Sequence, residues 1–459
     1  MCPPERNDVM ERMFGTDGVR GVANIHPMTA ETALAIGRAA TYICKKHSNK
    51  RPVIVIGKDT RVSCGMLEAA LAAGVCSMGG DARLAGVLPT PGIAYITSSM
   101  RADAGMVVSA SHNPFEDNGI KIFSRDGFKL PDAEENEIEN LIAAGKIGEA
   151  LPIAAEIGHM RRLRDSEARY TVFCKNTFHE NLDLNGMKIA IDCANGATYK
   201  TAPAVFSELG AKVETVHCSP DGTNINKNCG SQHIDDLVAR VAESRADIGL
   251  AFDGDGDRLI AVDEKGNRIT GDHVLVICAR LYKDLGLLNN NLVIATVMSN
   301  FGFFTAMRNL GIETEVSGVG DRYVMEMMRN KNAILGGEES GHVIFLNHHT
   351  SGDGIVTALQ ILWAMRHYGQ PLSELAKIMS MSPQRIVNVV VSSKPPLEEI
   401  ADLNDAIRAA QVELGASGRV LVRYSGTQAM CRVMVEGPTK EMTDRIAGYI
   451  AEIVRVNIG

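Results

Sequence analysis

No two of the ten cysteines form a Cys-x-x-Cys pair. They are scattered at Cys2, Cys44, Cys64, Cys76, Cys174, Cys193, Cys218, Cys229, Cys278 and Cys431. That pattern offers neither zinc-ligand spacing nor a disulfide framework, and it fits a reducing, cytoplasmic setting. Positive charge is not in excess. The chain has 47 Lys and Arg against 55 Asp and Glu, a formal charge of −8. Nucleic acid is therefore not expected as the main partner, while an anionic small substrate stays open because local basic residues decide it. No apolar run approaches the ~20 residues of a membrane span. Residues 1–13 are polar and charged, so no secretory signal and no membrane partner are expected. A Walker lysine pattern is also missing, so no nucleoside triphosphate is implied.

What is present is a long chain with an ordinary globular composition. Its 459 residues exceed one ordinary core, and 45% apolar with 22% charged residues describes a soluble globular protein.

A pattern occurs three times. Residues 52–57, 187–191 and 292–297 are apolar, β-like runs. A polar loop follows each one, then a helical stretch at 66–78, 202–209 or 303–310 that ends in glycine. A second β run follows at 82–87, 212–217 and 314–319. Strand, loop, helix, strand is the βαβ unit of a mainly parallel sheet. The expectation is three similar α/β mixed-sheet domains. The tail differs: strands at 385–391, 419–423 and 432–436 and helices at 397–414 and 440–454 predict a smaller C-terminal α+β domain. Linkers are expected near 152–165, 263–271 and 380–384. The acidic stretch 134–142 reads as a helix with a solvated charged face.

Asp253-Gly254-Asp255-Gly256-Asp257-Arg258 carries the most chemistry. Alternate side chains of an extended backbone point the same way, so three carboxylates can converge on one hard cation. Three carboxylates leave coordination positions that Mg²⁺ often fills with phosphate oxygens and water. An EF-hand is the rival reading, since Glu264 falls at loop position 12. Its sixth position requires glycine and here holds Arg258, and both flanks are β-like rather than helical.

Four other segments have less meaning alone. Ser109-Ala110-Ser111-His112-Asn113-Pro114 is a tight polar loop with an exposed hydroxyl. Turn chemistry explains its Asn and Pro, but beside a metal loop a serine oxygen can accept or give a phosphoryl group. Lys121 lies in range to assist, and no neighbouring Asp suggests a Ser-His-Asp hydrolase. Gly336-Gly337-Glu338-Glu339-Ser340-Gly341-His342 exposes carboxylates, a hydroxyl and an imidazole, which suit sugar hydroxyls or a plain turn equally. Arg423-Tyr424-Ser425-Gly426-Thr427 with Arg432 forms an anion nest or a hairpin with incidental arginines. Phe14-Gly15-Thr16-Asp17-Gly18-Val19-Arg20-Gly21 is a turn in which Arg20 could contact phosphate.

In this order the five segments resemble the α-D-phosphohexomutase superfamily over nearly the whole chain. Asn224-Ile225-Asn226, Cys229-Gly230-Ser231, Lys129-Leu130-Pro131-Asp132 and Gly320-Asp321-Arg322-Tyr323 look like its amino-sugar branch. The resemblance implies four domains around a central cleft, here 1–158, 159–266, 267–381 and 382–459. Ser111 would be the phosphoserine, sharing Mg²⁺ with Asp253, Asp255 and Asp257. Glu338 and Ser340 would bind sugar hydroxyls. Arg423, Ser425, Gly426, Thr427 and Arg432 would hold the phosphate that is not reacting. Arg20, Lys121, His342, His112 and Arg258 are the candidates for proton handling and charge stabilisation.

Two positions depart from the family pattern. The tail loop usually continues Gly-Thr-Glu-Pro, and here it reads Gly426-Thr427-Gln428-Ala429. The sugar loop often has Gln or Met where Glu339 stands. The expected activity is interconversion of glucosamine 6-phosphate and glucosamine 1-phosphate by a cytoplasmic monomer or homodimer, with the C-terminal domain moving so that the intermediate can turn. The alternatives are a phosphomannomutase or phosphoglucomutase with the same machinery, and a sugar-phosphate-binding protein without catalysis.

Overall fold

The computed structural model describes residues 12–15, 17–46, 50–145, 147, 151–425 and 429–459. By its contacts the chain forms two compact units. One comprises Met1–Val297 and Glu315–Ala376, the other Met298–Thr314 and Lys377–Gly459.

The first sheet contains β1 (Phe14–Gly15), β2 (Gly18–Val22), β3 (Val53–Lys58), β4 (Asp81–Val87), β5 (Ala104–Val108), β6 (Asp117–Ser124) and β7 (Met160–Arg162). Its order is β1-β2-β6-β5-β3-β4-β7. The second contains β8 (Lys188–Asp192), β9 (Lys212–Val216), β10 (Ile248–Phe252), β11 (Leu259–Asp263) and β12 (Arg268–Ile269), in the order β12-β11-β10-β8-β9. The third contains β13 (Leu292–Thr296), β14 (Glu313–Ser317), β15 (Leu335–Gly337) and β16 (Val343–Phe345), in the order β14-β13-β15-β16.

One four-strand frame recurs in all three. It reads β6-β5-β3-β4, then β11-β10-β8-β9, then β16-β15-β13-β14. In each, the first strand of the repeat pairs parallel with the third (β3 with β5, β8 with β10, β13 with β15), and the third turns back into an antiparallel fourth. The expected strand–helix–strand repeats are therefore present, each extended by this hairpin. Their parallel strands are short apolar runs because helices cover both faces. All five residues of β10 are buried, as are those of β5 and β13.

The smaller sheet of the second unit is antiparallel. It contains β17 (Gln384–Val390), β18 (Arg419–Tyr424) and β19 (Met430–Glu436), in the order β17-β19-β18. Helices Ala401–Leu414 and Lys440–Ile458 bury Leu403, Leu414, Ile450 and Val454 against it, as an α+β module requires. The helix Phe301–Asn309, read from sequence as part of the third repeat, groups with this unit. There Asn300 caps it by accepting from Gly302 N and donates to buried Glu436 at 3.0 Å.

Three sequence expectations need correction. Residues 152–165 are not only linker, because β7 lies among them and pairs parallel with β4. Residues 263–271 contain β12, which extends the second sheet beside β11. The acidic helix, Asp132–Ala143, is not solvated on its whole charged face: Glu135 is 3% exposed and accepts from Arg322 at 2.6 Å. A buried carboxylate needs a cationic partner, and that partner lies far away in sequence. Among the described residues no helix is long and apolar enough to cross a membrane.

Candidate active site

The three chemistry-bearing loops of the first unit occupy the same connection in the three repeats. Ser109–Pro114 joins β5 to β6, Asp253–Arg258 joins β10 to β11, and Glu338–His342 joins β15 to β16. Each leaves the carboxyl end of a parallel strand, where α/β sheets place their ligands.

Ser111 is 1% exposed and sits at φ +52°, a left-handed conformation that is costly for a serine. Such strain persists only where surrounding bonds fix it, and here they are numerous. Ser111 N donates to Ser109 Oγ at 3.0 Å, and Ser109 Oγ donates to Asp59 at 2.6 Å. Arg61 is paired with Asp59 at 2.8 Å and donates to the carbonyls of Ser111, Asn113, Pro114 and Asp117. Asn226, from the second repeat, donates to the Ser111 and Asn113 carbonyls at 2.8 and 2.9 Å. The hydroxyl is thereby aimed at the acidic loop, and Ser111 Oγ donates to Asp253 Oδ2 at 2.7 Å.

Asp253, Asp255 and Asp257 are buried, and each offers a carboxylate oxygen within 4.8 Å of the others. Gly254 lets the loop approach this closely: a Cβ there would lie 2.6 Å from the Ser111 carbonyl oxygen. Burial, and then the charges of Asp257 and Asp255, raise the Asp253 pKa well above the usual carboxylate range. Asp255 Oδ1 and Asp257 Oδ1 are buried without a hydrogen-bond partner. An all-oxygen set of converging carboxylates with unsatisfied lone pairs fits a hard divalent cation. Thr90 fixes the loop from the first repeat, donating through Oγ1 to Asp255 Oδ2 at 2.6 Å.

Cations line one side of the trio. Lys121, on β6 and 1% exposed, lies 2.8 Å from Asp255, 3.1 Å from Asp17 and 3.6 Å from Asp257. Burial alone would lower its pKa, but Asp17, Asp255 and Asp257 raise it, so it stays protonated. Arg20 pairs with Asp17 and donates to Ala110 O at 3.3 Å. Arg258 Nε lies 3.9 Å from Asp257. His342 sits between Asp257 and Asp321, 3.6 Å from each. Burial opposes its protonation, yet Asp257 and then Asp321 raise its pKa overall. His112 differs. Burial, then Arg258 and Arg20, lower it to about 4, and its Nδ1 lies 3.4 Å from Ser111 Oγ.

Glu338 accepts from Gly320 N at 3.0 Å at the start of the helix Asp321–Lys331. Ser340 is exposed and 3.4 Å from Glu338. Ser111, His112, Lys121, Arg20, the three aspartates, Arg258 and His342 thus come together, with Glu338 and Ser340 on the neighbouring loop.

In the second unit Arg423 and Arg432 are directly opposed on β18 and β19. Burial and the Arg432 charge lower the Arg423 pKa, and Arg432 Nε is buried without a hydrogen-bond partner. Both line a cavity of about 190 Å³ with Asn388 and Met434. Opposed like charges destabilise a sheet, and an anion would relieve them. Ser425 is buried and its carbonyl accepts from Lys394 at 2.8 Å. Gly426, Thr427 and the departing Gln428 lie outside the described residues, as does Thr16 of the opening turn.

Sequence reasoning gave no role to Asp59, Arg61 or Thr90, nor to Asp17, Asn226 and the bridging Lys129 within their motifs; Lys129 pairs with Asp17 and lies 2.5 Å from Asp321. The available signal was positional, since Asp59 and Arg61 follow the first strand of the first repeat.

Comparison with known proteins bears on the fold and the family. Residues 11–148, 168–266, 270–381 and 386–453 match four successive models described as phosphoglucomutase/phosphomannomutase alpha/beta/alpha domains I, II and III and the C-terminal domain. A protein named phosphoglucosamine mutase from Syntrophus aciditrophicus is 58% identical over 450 residues, covering 98% of this chain and 100% of its own. One of the same name from Syntrophobacter fumaroxidans is 56% identical with the same coverage. Among solved structures, a phosphoglucomutase/phosphomannomutase family protein from Burkholderia thailandensis aligns at a TM-score of 0.80 and 24% identity, over 97% of this chain and 99% of that one.

Proposed function

The chain belongs to the phosphoglucomutase/phosphomannomutase family, and we propose that it interconverts glucosamine 6-phosphate and glucosamine 1-phosphate through a phosphate carried on Ser111. The observation that carries this reading is the Ser111 hydroxyl bonded to Asp253 within the buried acidic trio. The choice of sugar rests on the full-length relatives named phosphoglucosamine mutase.

Asp253, Asp255, Asp257 and Ser111 would hold Mg²⁺, whose charge would neutralise a phosphoryl group in transfer. In the first transfer the bond from phosphorus to Ser111 Oγ breaks and one to the free sugar hydroxyl forms, giving a bisphosphorylated sugar. After the sugar turns, its other phosphate returns to Ser111. Such transfer depends mainly on positioning and charge. Lys121, held protonated by Asp17 and Asp255, steadies the phosphoryl oxygens together with Arg20 and Arg258. His112, neutral near pH 7, takes the proton that the sugar hydroxyl loses and returns it to the released Ser111 Oγ, while His342, whose protonation Asp257 and Asp321 favour, adds positive charge beside the sugar hydroxyl. Glu338 and Ser340 bind sugar hydroxyls. Arg423, Ser425, Gly426, Thr427 and Arg432 bind the phosphate that is not reacting. The four domains would keep the expected bounds 1–158, 159–266, 267–381 and 382–459, except that β7 goes with the first and β12 with the second.

Coupled assays with the 6-phosphates of glucosamine, glucose and mannose test the substrate. Highest kcat/KM for glucosamine 6-phosphate is expected. A preference for glucose or mannose would reassign the chain to another branch of its family. Turnover of none of them, with no phosphate on Ser111 by intact mass, would make it a binding protein.

A further inference from the structure

Cys193 directly follows β8, and Cys218 lies two residues beyond β9. These strands are parallel neighbours whose last residues, Asp192 and Val216, are paired. Cys193 N donates to Val216 O at 3.4 Å and Asn195 N to His217 O at 2.7 Å, so the two segments stay adjacent past the sheet. His217, at φ +46°, bends its segment back. The thiols are neighbours close enough to shift each other's acidity, and Cys218 Sγ donates to Tyr199 O at 3.0 Å. Adjacent strands about 4.8 Å apart keep such a pair within disulfide reach. Cys193 is buried and Cys218 half-buried, so a small oxidant meets Cys218 first.

The turn that begins at Cys193 supports the proposed active site. Ala197 N donates to Gly254 O at 2.8 Å, and a Cβ on Gly196 would lie 2.4 Å from that oxygen. Ala194 O accepts from Asn226 N at 2.9 Å, and the Asn226 side chain holds the Ser111 carbonyl. A displacement of Cys193 thus reaches both the acidic loop and the serine loop.

We propose that Cys193 and Cys218 are a modification site for hydroperoxides, closing to a disulfide that displaces the Cys193 turn and slows turnover. The Cys218 thiolate attacks a peroxide oxygen. The O–O bond breaks, an S–O bond forms, and hydroxide leaves with the thiol proton as water. Cys193 sulfur then attacks Cys218 sulfur. The S–S bond forms, the S–O bond breaks, and the hydroxide leaves with the Cys193 proton as a second water. Two thiols lose two electrons and two protons to one peroxide. The division of roles fits the acidities. The interaction with Cys193 lowers the Cys218 thiol to about 7, whereas the same interaction and then burial push Cys193 up. Thiolate character and exposure together select the attacking sulfur.

The test uses full-length protein treated with equimolar hydrogen peroxide and digested with trypsin without reduction. Cys193 and Cys218 fall in separate tryptic peptides, 189–200 and 213–227, with one cysteine each. The expected result is these two peptides joined and reduced turnover, by about tenfold or more if the loops shift by ~1 Å, with both effects reversed by dithiothreitol. The Cys218→Ser variant should keep its basal activity and resist peroxide. Free peptides after treatment, or equal inactivation of Cys218→Ser, would overturn the pair. Joined peptides with unchanged turnover would overturn its coupling to the active site. The peptide readout is independent of which sugar phosphate the enzyme takes.

Discussion

Ser111 Oγ donates to Asp253 Oδ2 at 2.7 Å although 142 positions separate the two residues. Hydroxyl and carboxylate come from the tips of equivalent hairpins in successive repeats, so their meeting depends on the packing of those repeats. Ser111→Ala should abolish mutase turnover and lack the single phosphate that intact mass is expected to find on the wild type. Its circular dichroism should stay close to wild type, and its Mg²⁺ titration should show a weakened but present site, because the three aspartates remain while one proposed ligand is lost. Residual turnover above background would show that another group carries the phosphate.

Gly254→Ala tests the contact beneath that pair. Its Cβ would stand 2.6 Å from the Ser111 carbonyl oxygen, against backbone that cannot swing aside. A loss of about 1–3 kcal/mol in urea unfolding is expected, with turnover reduced ~10²-fold. Gly448→Ala is the control. It meets nothing within 4 Å on a helix and should be neutral or stabilising by up to ~1 kcal/mol. Equal behaviour of the two variants would refute the close-contact argument.

Arg61→Lys keeps a positive charge for Asp59 but loses the planar fork that spans four carbonyls. A lower melting temperature and at least ~tenfold lower kcat are expected, with KM nearly unchanged, because the loop positions Ser111 rather than binding substrate. A change confined to KM would place Arg61 on the substrate instead.

Arg423→Ala separates function from stability. Removing one of two opposed guanidiniums relieves repulsion, so the melting temperature should hold or rise slightly. Loss of a charge-assisted phosphate contact, worth about 1.5–3 kcal/mol, should raise KM by ~10–100-fold. A destabilised protein with normal KM would count against the anion nest.

His349 supplies a pH signature. Its Nε2 donates to Pro91 O at 2.9 Å and its Nδ1 accepts from Thr350 N at 2.7 Å, so the folded state holds it neutral. Burial lowers it from 6.5 to about 4. The unfolded chain therefore binds more protons across that window, and stability falls as pH drops through it, by about 3 kcal/mol in all. Asp353, 4.0 Å away and raised to about 6 by burial, acts with the opposite sign between the ordinary carboxylate range and there. His349→Gln should remove the first effect and leave the second, so acidification from about pH 6.5 to about pH 4 should cost the variant less than the wild type in urea unfolding. Parallel pH profiles would contradict this account.

Much of this site is legible in the linear chain because its chemistry is local. Asp253, Asp255 and Asp257 are close in sequence, although a glycine-bearing turn rather than an extended strand brings them together, and Ser111 stands in a short turn after an apolar strand. The βαβ repeats are legible for the same reason. The supports are not. Arg61 and Asn226 act on carbonyls 50 or more positions away, and neither residue type announces a buried role. Glu135 looks like one more acid on a wet helix, and only the approach of Arg322 makes its burial tolerable. The short strands β7 and β12 are set by an available sheet edge more than by their own composition.

The recurring hairpin has one more consequence. Its tip hangs from paired strands that define its ends, so its residues can change without altering the frame below. Three copies of such a frame give three independent places for variation: one has taken a serine hydroxyl, one an acidic cluster, one an acid and an imidazole. Division of labour within a single polypeptide follows from repetition of a scaffold whose variable part is detached from its core.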